Sequence, residues 1–208
     1  MKAVSLTLKL FKRRFSYFSF LKWARRDFRE PSPQFVKLRV LRRNSVQDAT
    51  WVETGTYLGE TTKYLTKLTS HKIYSIEPEP RLFFFATKRL SKYNVEIIKG
   101  TSQEVLDTLV KGLRGNVNFW FDGHNSGDVT FNSDDVTPIV QELNVISKYI
   151  NNFEKMAVFI DDVRGFPYKE SPSKYPTLNY LVDWARALDL EWKIEQDIFI
   201  AFKANPRI

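Results

Sequence analysis

Five short apolar runs, each leading into polar or acidic residues, alternate with helical stretches along this chain. They are ATWVET (49–54), KIYSIE (72–77), VEIIKG (95–100), VNFWFDG (117–123) and MAVFIDDV (156–163). TTKYLTKLT, RLFFFATKRLSKY, SQEVLDTLVKGL and TPIVQELNVISKYI lie between them, and TLNYLVDWARAL follows the fifth. Parallel strands need a long crossover, usually a helix. The alternation therefore predicts an α/β fold, doubly wound, with helices on both faces of a mostly parallel sheet. LEWKIEQ and IFIAFK close the chain with little but Asp197 between them. That predicts a C-terminal antiparallel hairpin and a seven-stranded sheet.

Residues 1–30 form a separate block. They hold nine Lys and Arg against Asp27 and Glu30, so this segment carries +7 of the formal net charge of +8. Val4, Leu8, Phe11, Phe15 and Phe18 recur at helical spacing opposite a Lys/Arg face. Such a basic amphipathic helix suits a membrane interface, or packing on its own domain or on a twin subunit in a homodimer. Pro31 and Pro33 interrupt it, which divides the chain into a 1–30 segment and a 31–208 domain. The 208 residues, 43% of them hydrophobic, suffice for one packed core. The chain has no cysteine, which excludes disulfides and thiolate metal sites and suits a cytoplasmic protein. No apolar run is long enough to span a bilayer, so a membrane contact would be peripheral, at the inner face. Outside the first 30 residues the charge is near balance, so a nucleic-acid partner is not expected.

Ligands of open α/β sheets bind beyond the carboxyl ends of the strands. After the first strand, ETGTYLGETT supplies Glu53, Thr54, Gly55 and Gly59, with Thr61 or Thr62 expected to cap the next helix. The second strand ends on Glu77, an acid able to accept both hydroxyls of a ribose. The third ends at Gly100, Thr101 and Ser102, the fourth at Asp122, Gly123 and His124, and the fifth at Asp161 and Asp162. His71 precedes the second strand, at the opposite edge. Two polar stretches, 125–135 and 164–176, flank the ends of the fourth and fifth strands. The second contains aromatics, Arg164 and Lys169, and suits a sugar, a phenol or an anionic group.

The spacing E-x-G-x-x-x-G is neither the dinucleotide nor the P-loop pattern. From about Gln47 onward the chain resembles the class I S-adenosylmethionine-dependent methyltransferases, which have a Rossmann-like sheet. FDGH followed by FIDD is similar to the metal-dependent macrocin- and novobiocin-type sugar O-methyltransferases. The resemblance implies that Glu53, Thr54, Gly55, Gly59, Thr61, Thr62, Glu77, Thr101, Ser102 and Asp122 line the cofactor site. It implies that Asp122, Asp161 and Asp162 hold magnesium or another divalent cation. Where that family carries an acidic base this chain has His124, whose imidazole suits proton abstraction from a hydroxyl. The implied activity is metal-assisted O-methylation of a sugar, glycan or related small molecule. The alternatives are a metal-independent class I methyltransferase, in which Asp161 and Asp162 are structural, and a non-catalytic cofactor-binding or interaction module docked through its basic helix.

Overall fold

The computed structural model describes residues 16–122, 138–169 and 175–203. Seven strands form one sheet: β1 (Thr50–Thr54), β2 (Ile73–Glu77), β3 (Val95–Lys99), β4 (Gly115–Phe121), β5 (Phe153–Ile160), β6 (Glu191–Glu195) and β7 (Ile198–Lys203). Their spatial order is β3-β2-β1-β4-β5-β7-β6. The first five run parallel to one another, while β7 runs antiparallel to both β5 and β6. This is the expected doubly wound sheet with its C-terminal hairpin. The order reverses direction at β1 and β4, and the ends of those central strands become the natural ligand crevice.

The described helices are α1 (Ser16–Ala24), α2 (Gln34–Asn44), α3 (Glu60–Leu65), α4 (Pro80–Leu90), α5 (Ser102–Gly112), α6 (Ile139–Tyr149) and α7 (Leu178–Ala187). Alternation along the strands sorts the core into two layers. Val52, Val117, Phe119, Phe121, Val158 and Ile160 face α5, α6 and α7, where Leu106, Val110, Leu143, Ile146 and Leu181 meet them. Trp51, Trp120, Phe159 and Ile200 face the other way, against Val40 and Leu41 of α2 and Leu65 of α3. Trp51 stacks on Phe159 at 5.8 Å between centroids. Each such buried side chain stabilises the fold by about 1.5–3 kcal/mol, so strands buried on both faces read as continuous apolar runs.

Two boundaries differ from the sequence expectation. β5 starts at Phe153 and stops at Ile160, so Asp161 and Asp162 lie beyond the strand. Glu154 and Lys155 are exposed and broke the apolar run in the sequence. Helix α2 was not expected at all. Its inner face is Lys37, Val40, Leu41 and Asn44, half of it polar, so the periodic apolar signal is weak. The chain leaving α2 is clasped to β4 by Asn118, whose side chain accepts from the Val46 N–H and donates to the Val46 carbonyl, both at 2.9 Å.

Part of the basic N-terminal segment, residues 1–15, lies outside the described residues. In the rest, Trp23 is buried edge-on against Phe28, whereas Phe18, Phe20 and Phe28 remain exposed. No helix among the described residues is long and apolar enough to cross a membrane.

Candidate functional site

The turn after β1 is pressed against the end of β4. Gly55 has φ +85°, and a Cβ built there would lie 2.2 Å from the Asp122 carbonyl oxygen. Only glycine fits both the left-handed conformation and the contact. The Gly55 and Thr56 N–H groups donate to the Ile76 carbonyl at 3.1 and 3.2 Å, and the Asp122 N–H donates to the Thr54 carbonyl at 3.2 Å. Backbone bonds thus bring the ends of β2, β1 and β4 together.

Glu53 and Glu77 stand at this junction, held differently. One Glu53 oxygen accepts from the hydroxyls of Thr62 and Ser75, both at 2.5 Å. Its other oxygen is buried with no partner among the described residues. Burial pushes the Glu53 carboxyl up to about 8, the Ser75 and Thr62 hydroxyls pulling the other way and the charges of Asp122 and Glu77 adding to the rise. Glu77 accepts the Tyr57 N–H at 2.7 Å on one oxygen and the Glu79 N–H at 3.0 Å on the other. Burial raises its pKa, offset in part by those two amides. A carboxylate offers about four acceptor positions, so each Glu77 oxygen retains capacity for a hydroxyl. A pair of acceptors beside a glycine turn fits a ribose, and an orphaned buried oxygen on Glu53 fits a donor from a ligand.

Thr61 and Thr62 do not cap α3. Gly59, in the left-handed region at φ +70°, occupies the N-cap position with no side-chain bond. Thr62 is drawn inward to Glu53, and Thr61 accepts from Gln34 of α2 at 2.8 Å. Thr101 caps α5 through a reciprocal capping box with Glu104. The next residue, Ser102, is buried and lies with Thr54 beside Glu142 of α6. Burial pushes Glu142 up to about 7, against the pull of the Ser102 and Thr54 hydroxyls. Nothing in the helical pattern TPIVQELNVISKYI singled out Glu142, whose charge suits an outer face.

The acids after β5 are committed to cations. Lys37, on α2, places its Nζ 2.6 Å from an Asp161 carboxylate oxygen and 2.7 Å from Asp162 Oδ1. Burial works against the Lys37 ammonium, yet Asp161 and Asp162 hold its pKa above the usual lysine value. Asp161 is pushed upward by burial and by the neighbouring Asp122, and Lys37 opposes that rise. The Asp162 N–H donates to Asp161 Oδ1 at 2.8 Å. Arg164 donates to Asp162 Oδ1 at 2.5 Å and pairs with Asp197 in the β6–β7 turn. Arg164, expected to meet an anionic ligand, is therefore tied to the fold. Tyr175 packs on Phe166, and burial, aided by the charges of Asp162 and Asp122, raises the pKa of its hydroxyl.

This arrangement does not fit the magnesium expected on Asp122, Asp161 and Asp162. The carboxylates after β5 already close on a lysine ammonium. Among the described residues no group of three or more His, Asp or Glu side chains is disposed to hold a metal ion. His124, Gly123 and the whole polar stretch 125–135 lie outside the described residues, as do 170–174 of the second loop. His71 sits at the amino end of β2, where its N–H donates to Thr69, away from the site.

Comparison with known proteins matches the fold. No family model matches the chain, and no curated protein matches it. Among solved structures, a protein assigned as a caffeoyl-CoA O-methyltransferase from Staphylococcus aureus is similar over 98% of this chain and 100% of its own, with TM-score 0.54 and 14% identity. A methyltransferase from Geobacter sulfurreducens covers 89% of this chain and 85% of its own, with TM-score 0.54 and 13% identity. A SAM-dependent methyltransferase from Aquifex aeolicus covers 85% and 94%, with TM-score 0.51 and 14% identity. The chain has the Rossmann-like fold of the S-adenosylmethionine-dependent methyltransferases.

Proposed function

We propose that this chain is an S-adenosylmethionine-dependent methyltransferase acting on a hydroxyl of a sugar, glycan or related small molecule. The observation that carries the reading is Glu77, an acid at the end of β2 whose two oxygens are fixed by the Tyr57 and Glu79 amides beside the Gly55 turn. Glu77 would take the ribose hydroxyls, and Gly55 would let the backbone pass close to the ligand. Glu53, with its orphaned oxygen, would face the methionine end, and Thr101 and Ser102 would border the adenine. Bound S-adenosylmethionine supplies an electrophilic methyl group on a sulfonium. The chain's own work is then to position an acceptor oxygen in line and to remove its proton. We assign the proton to His124 and the placing of the acceptor to Asp122 and the aromatic stretch 164–176, which includes Tyr175.

The hydroxyl acceptor is supported by the FDGH and FIDD motifs and by a loop that mixes aromatic rings with polar groups. The experiment is transfer of a tritiated methyl from S-adenosylmethionine to nucleotide sugars, glycans, RNA and protein in parallel. Label in the carbohydrate fractions, lost in His124→Ala, is expected. Label confined to RNA or protein would contradict the reading.

A further inference from the structure

The disagreement between the expected metal and the observed ammonium is informative in itself. Lys37 is buried, and its charge has been brought into the interior from a helix that precedes the whole sheet. Taking a lysine ammonium out of water is costly unless carboxylates meet it. Here two do, from adjacent positions at the end of β5, at 2.6 Å and 2.7 Å. Asp162 takes a left-handed backbone conformation, φ 56°, which Asp tolerates better than most residues, at the position where its carboxylate meets Lys37 and Arg164. Asp161 in turn is locked by the Asp162 N–H at 2.8 Å. The pair is thus built around a monovalent cation supplied by the chain. Magnesium lies about 2.1 Å from its oxygens. An ion sharing the oxygens that Lys37 touches would therefore sit within about 5 Å of a fixed positive charge, the sum of that bond and the ammonium contact.

We propose that Lys37 is the resident cation of this site: its ammonium, seated between Asp161 and Asp162 beside Asp122, takes the place of a divalent metal ion. Lys37 is on this account a positioning residue. It fixes the two carboxylates and supplies the positive charge that would otherwise come from an exchangeable ion. Its consequence for methyl transfer rests on the methyltransferase reading, but the occupancy itself does not, and the two fail separately.

The test is binding of Mn²⁺ to the full chain, read by water-proton relaxation and by the rise in melting temperature with MnCl₂. S-adenosylhomocysteine calorimetry on the same samples reports the cofactor site independently. Wild type is expected to bind Mn²⁺ only weakly, and Lys37→Met to bind it at least tenfold more tightly. Asp161→Asn added to Lys37→Met should remove that gain. If Lys37→Met does not fold, Lys37→Gln is read in the same way. Tight Mn²⁺ binding by wild type that Asp161→Asn abolishes would overturn the proposal. So would a lysine variant that folds and gains no Mn²⁺ affinity, since the pair would then be a plain buried ion pair. If S-adenosylhomocysteine binding is absent while the Mn²⁺ gain appears, the methyltransferase reading fails and the lysine assignment stands.

Discussion

The two halves of the sheet keep their buried acids in opposite ways. On the β1–β2 side, Glu53 and Glu77 are served by neutral donors: the Thr62 and Ser75 hydroxyls and the Tyr57 and Glu79 amides. On the β5–β7 side, Asp161, Asp162 and Asp197 are served by the cations Lys37 and Arg164. Neutral donors leave the acid's acceptor capacity in place, so that half is suited to receive the hydroxyls and amine of a ligand. Cations neutralise the acid, so the other half is suited to hold shape. The same residue type does different work according to the partner brought to it, and the partner Lys37 comes from a helix outside the repeating strand–helix pattern.

Gly55 pins the end of β1 to β2 and to the end of β4, so breaking it should have the largest effect. Gly55→Ala forces a side chain into a left-handed backbone position and against the Asp122 carbonyl. A loss of roughly 3–5 kcal/mol is expected in urea unfolding, together with loss of S-adenosylhomocysteine binding. Lys37→Met leaves the Asp161 and Asp162 carboxylates without their ammonium and should cost about 3 kcal/mol by the same measurement. Lys37→Arg should recover only part of that, because a planar guanidinium does not match a site shaped for a compact ammonium.

The third effect tests by pH a buried acid that faces hydroxyls and not cations. Glu142 is raised from 4.5 to about 7. A carboxyl whose folded pKa is raised contributes stability that is full below its unfolded pKa and is lost as pH rises through the folded value. Wild type should therefore lose on the order of 2 kcal/mol relative to Glu142→Gln between about pH 5 and about pH 8. Denaturant curves at several pH values check this, and a flat difference would show that Glu142 is not held protonated. The smallest effect concerns ligand alone: Glu77→Gln should weaken S-adenosylhomocysteine binding about tenfold, with the urea midpoint little changed.

Much of the scaffold is legible in the sequence because strands buried on both faces leave continuous apolar runs such as FWF, and their polar ends mark one edge of the sheet. Glu77 was readable for the same reason, since it closes a strand. The rest is hidden by context. Lys37 lies among Arg39, Arg42 and Arg43, where a charge reads as solvated. Only the tertiary fold turns its face of α2 inward. Thr62 looked like a helix cap because hydroxyls before a helix usually are. It is instead claimed by Glu53, and Gly59 takes the cap position. The start of β5 was misplaced by the exposed Glu154 and Lys155, which interrupt an otherwise apolar strand.

The most direct measurement is calorimetric titration of the wild-type chain with S-adenosylhomocysteine, repeated on Glu77→Ala and on Asp162→Asn. The account predicts saturable one-to-one binding by wild type, a large loss of affinity in Glu77→Ala and near wild-type affinity in Asp162→Asn. Absence of binding to wild type at millimolar ligand, or equal affinity for wild type and Glu77→Ala, would contradict it.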